Sequence, residues 1–444
     1  MTRLYYVLCL CFWGCTEPPP INSPVAPQLN TMSSINMSSS EMTVLGPIAE
    51  TENVNNQSDT DMAMGELWGE MEIAESENEG IESQDNGMTT IGEVQPDMDQ
   101  TDSNTENEAS DPQEESSQPS YLDILDDVPG WATGTYGGRD GEVYTVTTLD
   151  FSGSGSLKEA LESDAPLWII FSPDLNGEIL LEEVISVKSF KTVDARNHQI
   201  TLKAIPEETG LRFGDQNQEG IEQVIFLNVT FDGGWDDYRE DAEGRDGINI
   251  RNGTHHVWIH QCTFFHWSDG AIDAKTDDGY PLPHHISITN NLFTRIHQPL
   301  AVAIDRLTFA RNHCLDVTKR CIQVNFGGTA HMINNVIEDW RSREIIAAKD
   351  DAQLLVDNNM FAPGRESDVA GAALKEDTDE RGRWQNENSH MYGGWVSFQR
   401  SSLIDTSLYT EARRMYEPDI CEIFDLGCWS MLYEQVVRDA GAHP

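Results

Sequence analysis

Apolar residues along this chain come in short alternating bursts, and the bursts recur. Val224-x-Phe226-x-Asn228-Val229-Thr230-Phe231 returns in the same register as Val257-x-Ile259-x-Gln261-Cys262-Thr263-Phe264 and Ile286-x-Ile288-x-Asn290-Asn291-Leu292-Phe293. Three further copies are Leu307-x-Phe309-x-Arg311-Asn312-His313-Cys314, Ala330-x-Met332-x-Asn334-Asn335-Val336-Ile337 and Leu354-x-Val356-x-Asn358-Asn359-Met360-Phe361. Successive copies start about 21 to 33 residues apart, the spacing at which fixed-period repeats signal solenoids. Each copy is a strand of period two, a polar pair and a second short apolar run, with no helical period between copies. This pattern predicts an all-β parallel solenoid whose coils stack apolar side chains inward. The Leu-x-x-Leu-x-Leu frame of leucine-rich repeats and the four-strand unit of a propeller blade are both missing.

The asparagines at 291, 312, 335 and 359 fall in one register. Asparagine tolerates left-handed backbone angles at a tight bend, and stacked amides hydrogen-bond along a solenoid axis, so these four are expected to do both. Upstream, Ser154-Gly155-Ser156-Leu157-Lys158-Glu159-Ala160-Leu161 reads as a short N-capped helix that closes the apolar end of the coils. Residues 168–171 and 179–187 read as the first strands. The repeat fades after Pro363, and an amphipathic stretch at 431–440 is expected to pack back on the coils.

Charge divides the chain. The net charge is −48, no Lys or Arg lies between Arg3 and Arg139, and about 26 acidic residues fall between Glu17 and Asp127. That stretch is poor in aromatic and β-branched residues and has too little apolar surface to offset the ordering of its backbone. Residues 16–127 are therefore expected to be a disordered acidic tether, and 128–444 the folded domain. Residues 1–15 read as an export signal: Arg3, a short apolar run over 4–13, then Gly14-Cys15. A small residue before Cys resembles a bacterial lipobox, which would make Cys15 a lipidated residue and the chain a secreted or outer-membrane, cell-surface lipoprotein. An ordinary cleaved signal is the alternative.

This balance excludes a nucleic-acid partner, which needs a basic face. It also repels an acidic polysaccharide unless a bound cation inverts the local field, and that requirement points to calcium. Beyond residue 200 stand Cys262, Cys314, Cys321, Cys421 and Cys428, with no zinc-ligand spacing among them. Cys421 and Cys428 are placed to close a small disulfide loop. The odd count leaves at least one thiol unpaired, expected as a buried core residue.

Gly137-Gly138-Arg139, Gly153-Ser154-Gly155-Ser156-Leu157, Val257-Trp258-Ile259 and Ser268-Asp269-Gly270-Ala271-Ile272-Asp273 occur in the order seen in a known family. On these residues the chain resembles the pectate lyases over residues 130–361, more weakly at 433–437 and 440–442. The resemblance implies a right-handed parallel β-helix that cleaves a uronate-containing polysaccharide, such as pectate, by calcium-assisted β-elimination. It implies calcium ligands at Asp246, Asp269 and Asp273, a general base at Arg320, and a substrate contact at Lys275. The family's substrate-binding Lys and second Arg fall on Gln298 and Asn325. Ile322 stands where the family has Pro, and His260 where it has an acidic residue.

Without a cationic side chain at Gln298 and Asn325, each charge-assisted hydrogen bond to substrate that is forgone would cost about 1.5–3 kcal/mol. A non-catalytic carbohydrate-binding surface protein that keeps only the fold is therefore the alternative function. A glycoside hydrolase would need a carboxylate pair, and Asp277-Asp278 is the one adjacent Asp pair near the expected groove. The expected assembly is a monomer that meets a membrane only through a lipid anchor.

Overall fold

In a computed structural model, described residues run from 120 to 443, except 206–209, 236, 238–245, 342–343, 363, 365–381, 392–402, 417–420 and 422–425. The expected export signal with Cys15, and the tether up to residue 119, lie outside the described residues. All described residues belong to one compact unit.

Every strand pair joins parallel neighbours, as a solenoid of stacked coils requires. One sheet is a row of ten strands, from Glu142–Val146 through Glu222–Leu227, His255–His260 and His284–Thr289 to Arg383–Glu387. A second sheet holds two faces, because its longest strands turn a corner. The strand Thr263–Lys275 pairs Phe264 with Phe231 in its first half and Asp273 with Asn249 in its second. A register shift between Trp267 and Gly270 marks the bend.

Side chains pointing inward build the core by stacking on their own equivalents one coil away. Phe231, Phe264 and Phe293 stack with centroids 4.6 and 5.1 Å apart. Such pairs add about 0.5–1.5 kcal/mol each beyond their buried area. The helix Leu157–Glu162 closes the stack as expected, with Leu157, Ala160 and Leu161 buried and the Ser156 hydroxyl accepting from the Glu159 N–H.

At the bend the expected amide ladder is present. Asn291 Nδ2 donates to Asn312 Oδ1 at 3.0 Å, Asn312 to Asn335 at 3.1 Å, and Asn335 to Asn359 at 2.8 Å. The left-handed backbone, however, falls one residue earlier: Asn290, Arg311, Asn334 and Asn358 have φ of 55°, 54°, 53° and 51°. The preceding residue takes the turn, and the next side chain is thereby swung inward to bond its neighbours. Cys262 replaces Asn at one end of the ladder, its backbone N–H donating to Asn291 Oδ1.

Three further sequence expectations change. The segment at 179–187 is two strands, Gly177–Leu181 and Ile185–Val187, which join different partners across a break at Glu182-Glu183-Val184. Within the segment expected as tether, Ser120–Asp127 is a 3-10 helix. Its Tyr121 ring lies 5.0 Å from that of Trp168, and Ile124 and Leu125 pack against Val128, Ile225 and Trp258. A few apolar residues suffice to dock a segment whose charge alone reads as tether. Finally, a helix unforeseen in the polar C-terminal region, Thr406–Met415, buries Leu408 and Ala412 against Trp131 and Leu355.

The amphipathic stretch expected at 431–440 falls in a longer helix, Leu426–Asp439, which packs Trp429, Leu432 and Val436 against Val336 and Met360. Cys421 and Cys428 are bonded as expected. Cys314 and Cys321 form a second disulfide that the sequence does not announce, since a corner of the coil brings them together. Among the described residues Cys262 is the free thiol; it is buried, and burial pushes its pKa up to about 12.

Candidate active site

The second half of Thr263–Lys275 lies between Ile248–Arg251 and the end of Leu292–Val302, and Ile322–Val324 follows one coil further on. On this face core residues alternate with outward polar ones. Ile272 and Ala274 point into the core, while Asp273 and Lys275 point out. Asp273 sits beside Asn249, Lys275 beside Arg251, and Gly270 beside Gln298. Asp246 precedes the strand Ile248–Arg251, and its carboxylate lies against Gly270, where any side chain would strike Oδ1. The glycine between Asp269 and Asp273 thus makes room for the third carboxylate.

Asp246, Asp269 and Asp273 are brought together, and each has a protein partner. Asn249 Nδ2 is 3.3 Å from Asp246 Oδ2 and 3.4 Å from Asp273 Oδ2. Lys275 Nζ is 2.7 Å from Asp273 Oδ2, and Gln298 Nε2 donates to Asp269 Oδ1. Burial, then repulsion from Asp273 and Asp269, raises Asp246 to about 8. Burial also raises Asp273, against the opposing pull of Lys275. Burial lowers Lys275, but its bond to Asp273 and the charges of Asp273 and Asp246 outweigh this and leave it raised. Three oxygen donors under this strain suit a hard cation of flexible coordination. As the side chains stand, no three His, Cys, Asp or Glu converge as metal ligands among the described residues.

Arg320 enters from the next coil, at a left-handed residue (φ 55°) whose N–H donates to the Glu344 carbonyl. Its Nη1 donates to Gln298 Oε1 at 2.5 Å, and its buried Nε has no hydrogen-bond partner among the described residues. Asn325 accepts from Gln323 Nε2 at 2.9 Å. His260 is spent elsewhere: its Nδ1 pairs with Thr289 Oγ1, and burial pushes it down to about 4. Asp277 accepts from the Asn217 N–H at 2.7 Å and Asn252 Nδ2 at 2.8 Å, which holds its pKa low and makes it a loop anchor.

Two residues of this face were not read from the sequence. Asn249 joins Asp246 to Asp273, and Arg251 donates to Asn249 Oδ1. Their signal is the alternation Asp246-x-x-Asn249-x-Arg251, which becomes meaningful once the coil register is known. An open groove of about 600 Å³ lies elsewhere, lined by Tyr121, Phe171, Asp194, Arg196, Asn228 and His443. Its polar groups bond one another, Arg196 to Asp194 and Asn228 to the His443 backbone.

Comparisons with known proteins agree on one family by sequence. No family model matches the chain. It is 29% identical over 242 residues to probable pectate lyase 18 of Arabidopsis thaliana, covering 49% of this chain and 56% of that protein. It is 24% identical over 337 residues to probable pectate lyase 13 of the same plant, covering 70% of this chain and 61% of that one. The chain thus spans less than two thirds of the length of these relatives. Pectate lyase 1 of Cryptomeria japonica is 26% identical over 316 residues, covering 65% of this chain and 82% of that protein. In structure the chain resembles Jun a 1, the major allergen from cedar pollen. The two share 20% identity over 73% of this chain and 95% of that one, with a TM-score of 0.54, and this likeness bears on the fold.

Proposed function

The chain belongs to the pectate lyase family as a distant homologue, and from that premise we propose that it cleaves a uronate-containing polysaccharide such as pectate by calcium-assisted β-elimination. One observation carries the reading: Asp246, Asp269 and Asp273 share one face with Arg320, and Gln298 ties Asp269 to Arg320.

The reaction removes the proton α to a uronate carboxylate and expels the 4-linked oxygen. Asp246, Asp269 and Asp273 would hold the calcium ion, which when bound supplies positive charge where the elimination builds negative charge. Lys275, on the same strand, would contact a second carboxylate of the sugar chain. Arg320 would take the proton. A guanidinium is ordinarily protonated, so this role needs surroundings that do not hold it charged. Its side-chain partner here is a neutral amide, not a carboxylate. Two disulfides fit a protein exported to an oxidising compartment, as the lyase reading requires.

A non-catalytic carbohydrate-binding protein is the second reading. It is favoured by the internal engagement of Gln298 and Asn325, whose amide groups bond protein partners. The two readings part when the full chain is incubated with a panel of uronans, with calcium and with chelator, and unsaturated products are followed by ultraviolet absorbance. Calcium-dependent product formation, reduced about 10²–10⁴-fold by Arg320→Lys, is the expected result for loss of a general base. Binding of a uronan without product from any of them would leave the second reading standing.

A further inference from the structure

Gln298 holds a position that no other side chain of this face shares. It is buried at 8% exposure, on the strand next to Gly270, and both ends of its amide are engaged. One end meets the Asp269 carboxylate and the other meets the Arg320 guanidinium. Chemistry fixes the orientation: a carboxylate only accepts and a guanidinium only donates, so the nitrogen must face Asp269 and the oxygen Arg320.

The two ends have separable consequences. The Nε2 bond occupies one acceptor site of Asp269 Oδ1, so a cation that bonds this oxygen along the same direction competes with it. The Oε1 bond holds Arg320 Nη1, while Arg320 Nε has no partner among the described residues. Much of the aim of that guanidinium therefore rests on one amide oxygen. Neither end faces outward to a sugar.

We propose that Gln298 is a positioning residue that couples the cation site to Arg320: its Nε2 competes with a cation for Asp269, and its Oε1 keeps Arg320 in place. The proposal rests on the lyase reading for its catalytic half. Its cation half stands on the Asp269 bond alone.

Two variants separate the ends. Gln298→Met fills a similar volume and makes neither bond. Gln298→Lys keeps a donor towards Asp269, adds charge beside it, and cannot accept from Arg320. Calcium binding to the full-length protein is measured by calorimetry without any polysaccharide, and uptake by the acidic N-terminal segment is common to all three proteins. Relative to wild type, Gln298→Met is expected to bind calcium about tenfold more tightly, the scale of one charge-assisted hydrogen bond released. Gln298→Lys should bind at least about tenfold more weakly, through repulsion between the ammonium and the cation.

With a turned-over uronan, Gln298→Met should lower kcat and leave KM unchanged, because it disturbs Arg320 and touches no sugar. Thermal melting of each variant shows whether it is folded. Equal calcium affinity in three folded proteins, or no calcium binding in any, overturns the proposal. A raised KM with kcat preserved also overturns it, since Gln298 would then contact substrate. If wild type turns over no uronan, the lyase reading fails by itself, and the calcium order of the three proteins still decides the coupling.

Discussion

Replacing Asn312 with alanine tests the bend that holds the coils together. Asn312 is fully buried. Its Oδ1 accepts from the Asn291 N–H at 2.9 Å and from Asn291 Nδ2 at 3.0 Å, and its Nδ2 donates to the Ile288 carbonyl at 2.9 Å and to Asn335 Oδ1 at 3.1 Å. Alanine leaves the Asn291 backbone N–H without its side-chain acceptor, at about 1–3 kcal/mol for a buried orphan. The other three bonds contribute about 0.5–1.5 kcal/mol each, less what remaining partners recover, since Asn291 Nδ2 keeps Ile259 O and Asn335 Oδ1 keeps the Asn312 N–H.

The expected loss is about 3–5 kcal/mol. It would be read from urea unfolding followed by tryptophan fluorescence, as a lower midpoint at unchanged slope. Asn312→Asp keeps the acceptor but turns a carboxylate oxygen on Ile288 O and Asn335 Oδ1. Burial would raise the folded pKa of that new carboxyl above its unfolded value. The variant should therefore be least impaired below the unfolded carboxyl pKa, and lose stability as pH rises towards neutrality. A loss under about 1 kcal/mol for Asn312→Ala would refute the ladder as a source of stability, because the orphaned N–H would then have found another partner.

Other consequences are as direct. Asp246 is raised to about 8 by burial and by its neighbours. Its contribution is thus fully present below the unfolded carboxyl pKa and lost as pH rises through about 8, so in chelator the melting temperature should fall from about pH 4 to about pH 8 and level off above that. Millimolar calcium should flatten that slope. Arg413 Nε and Nη2 each lie 2.7 Å from the fully buried Asp357, so Arg413→Ala leaves a buried carboxylate with the longer bond to His331 Nε2, 3.4 Å, in place of its bidentate partner. This should cost about 3–5 kcal/mol in urea unfolding and raise amide exchange in the helix Thr406–Met415. Limited proteolysis followed by mass spectrometry should leave a core beginning near Ser120, because Tyr121, Ile124 and Leu125 are docked.

By itself the sequence determined the repeating unit and the closing helix. Val257 and Ile259 point inward, and Asn291 and Asn312 stack, because period-two alternation and amide chemistry are local properties that survive in any coil of this size. The Cys421 to Cys428 bridge was legible for the same reason, since a short loop keeps its ends close. Cys314 and Cys321 are equally close in sequence, yet they sit on two faces, and only the corner between them turns the sulfurs towards each other.

The site divides in the same way. Asp269 and Asp273 stand out as a motif, but Asn249 between two carboxylates and Gln298 between Asp269 and Arg320 depend on which residues lie abreast in successive coils. Register is a tertiary property. Coils of unequal length carry loops that shift each strand's partner, so a residue's neighbour across the sheet is set by how the apolar faces stack, not by distance along the chain.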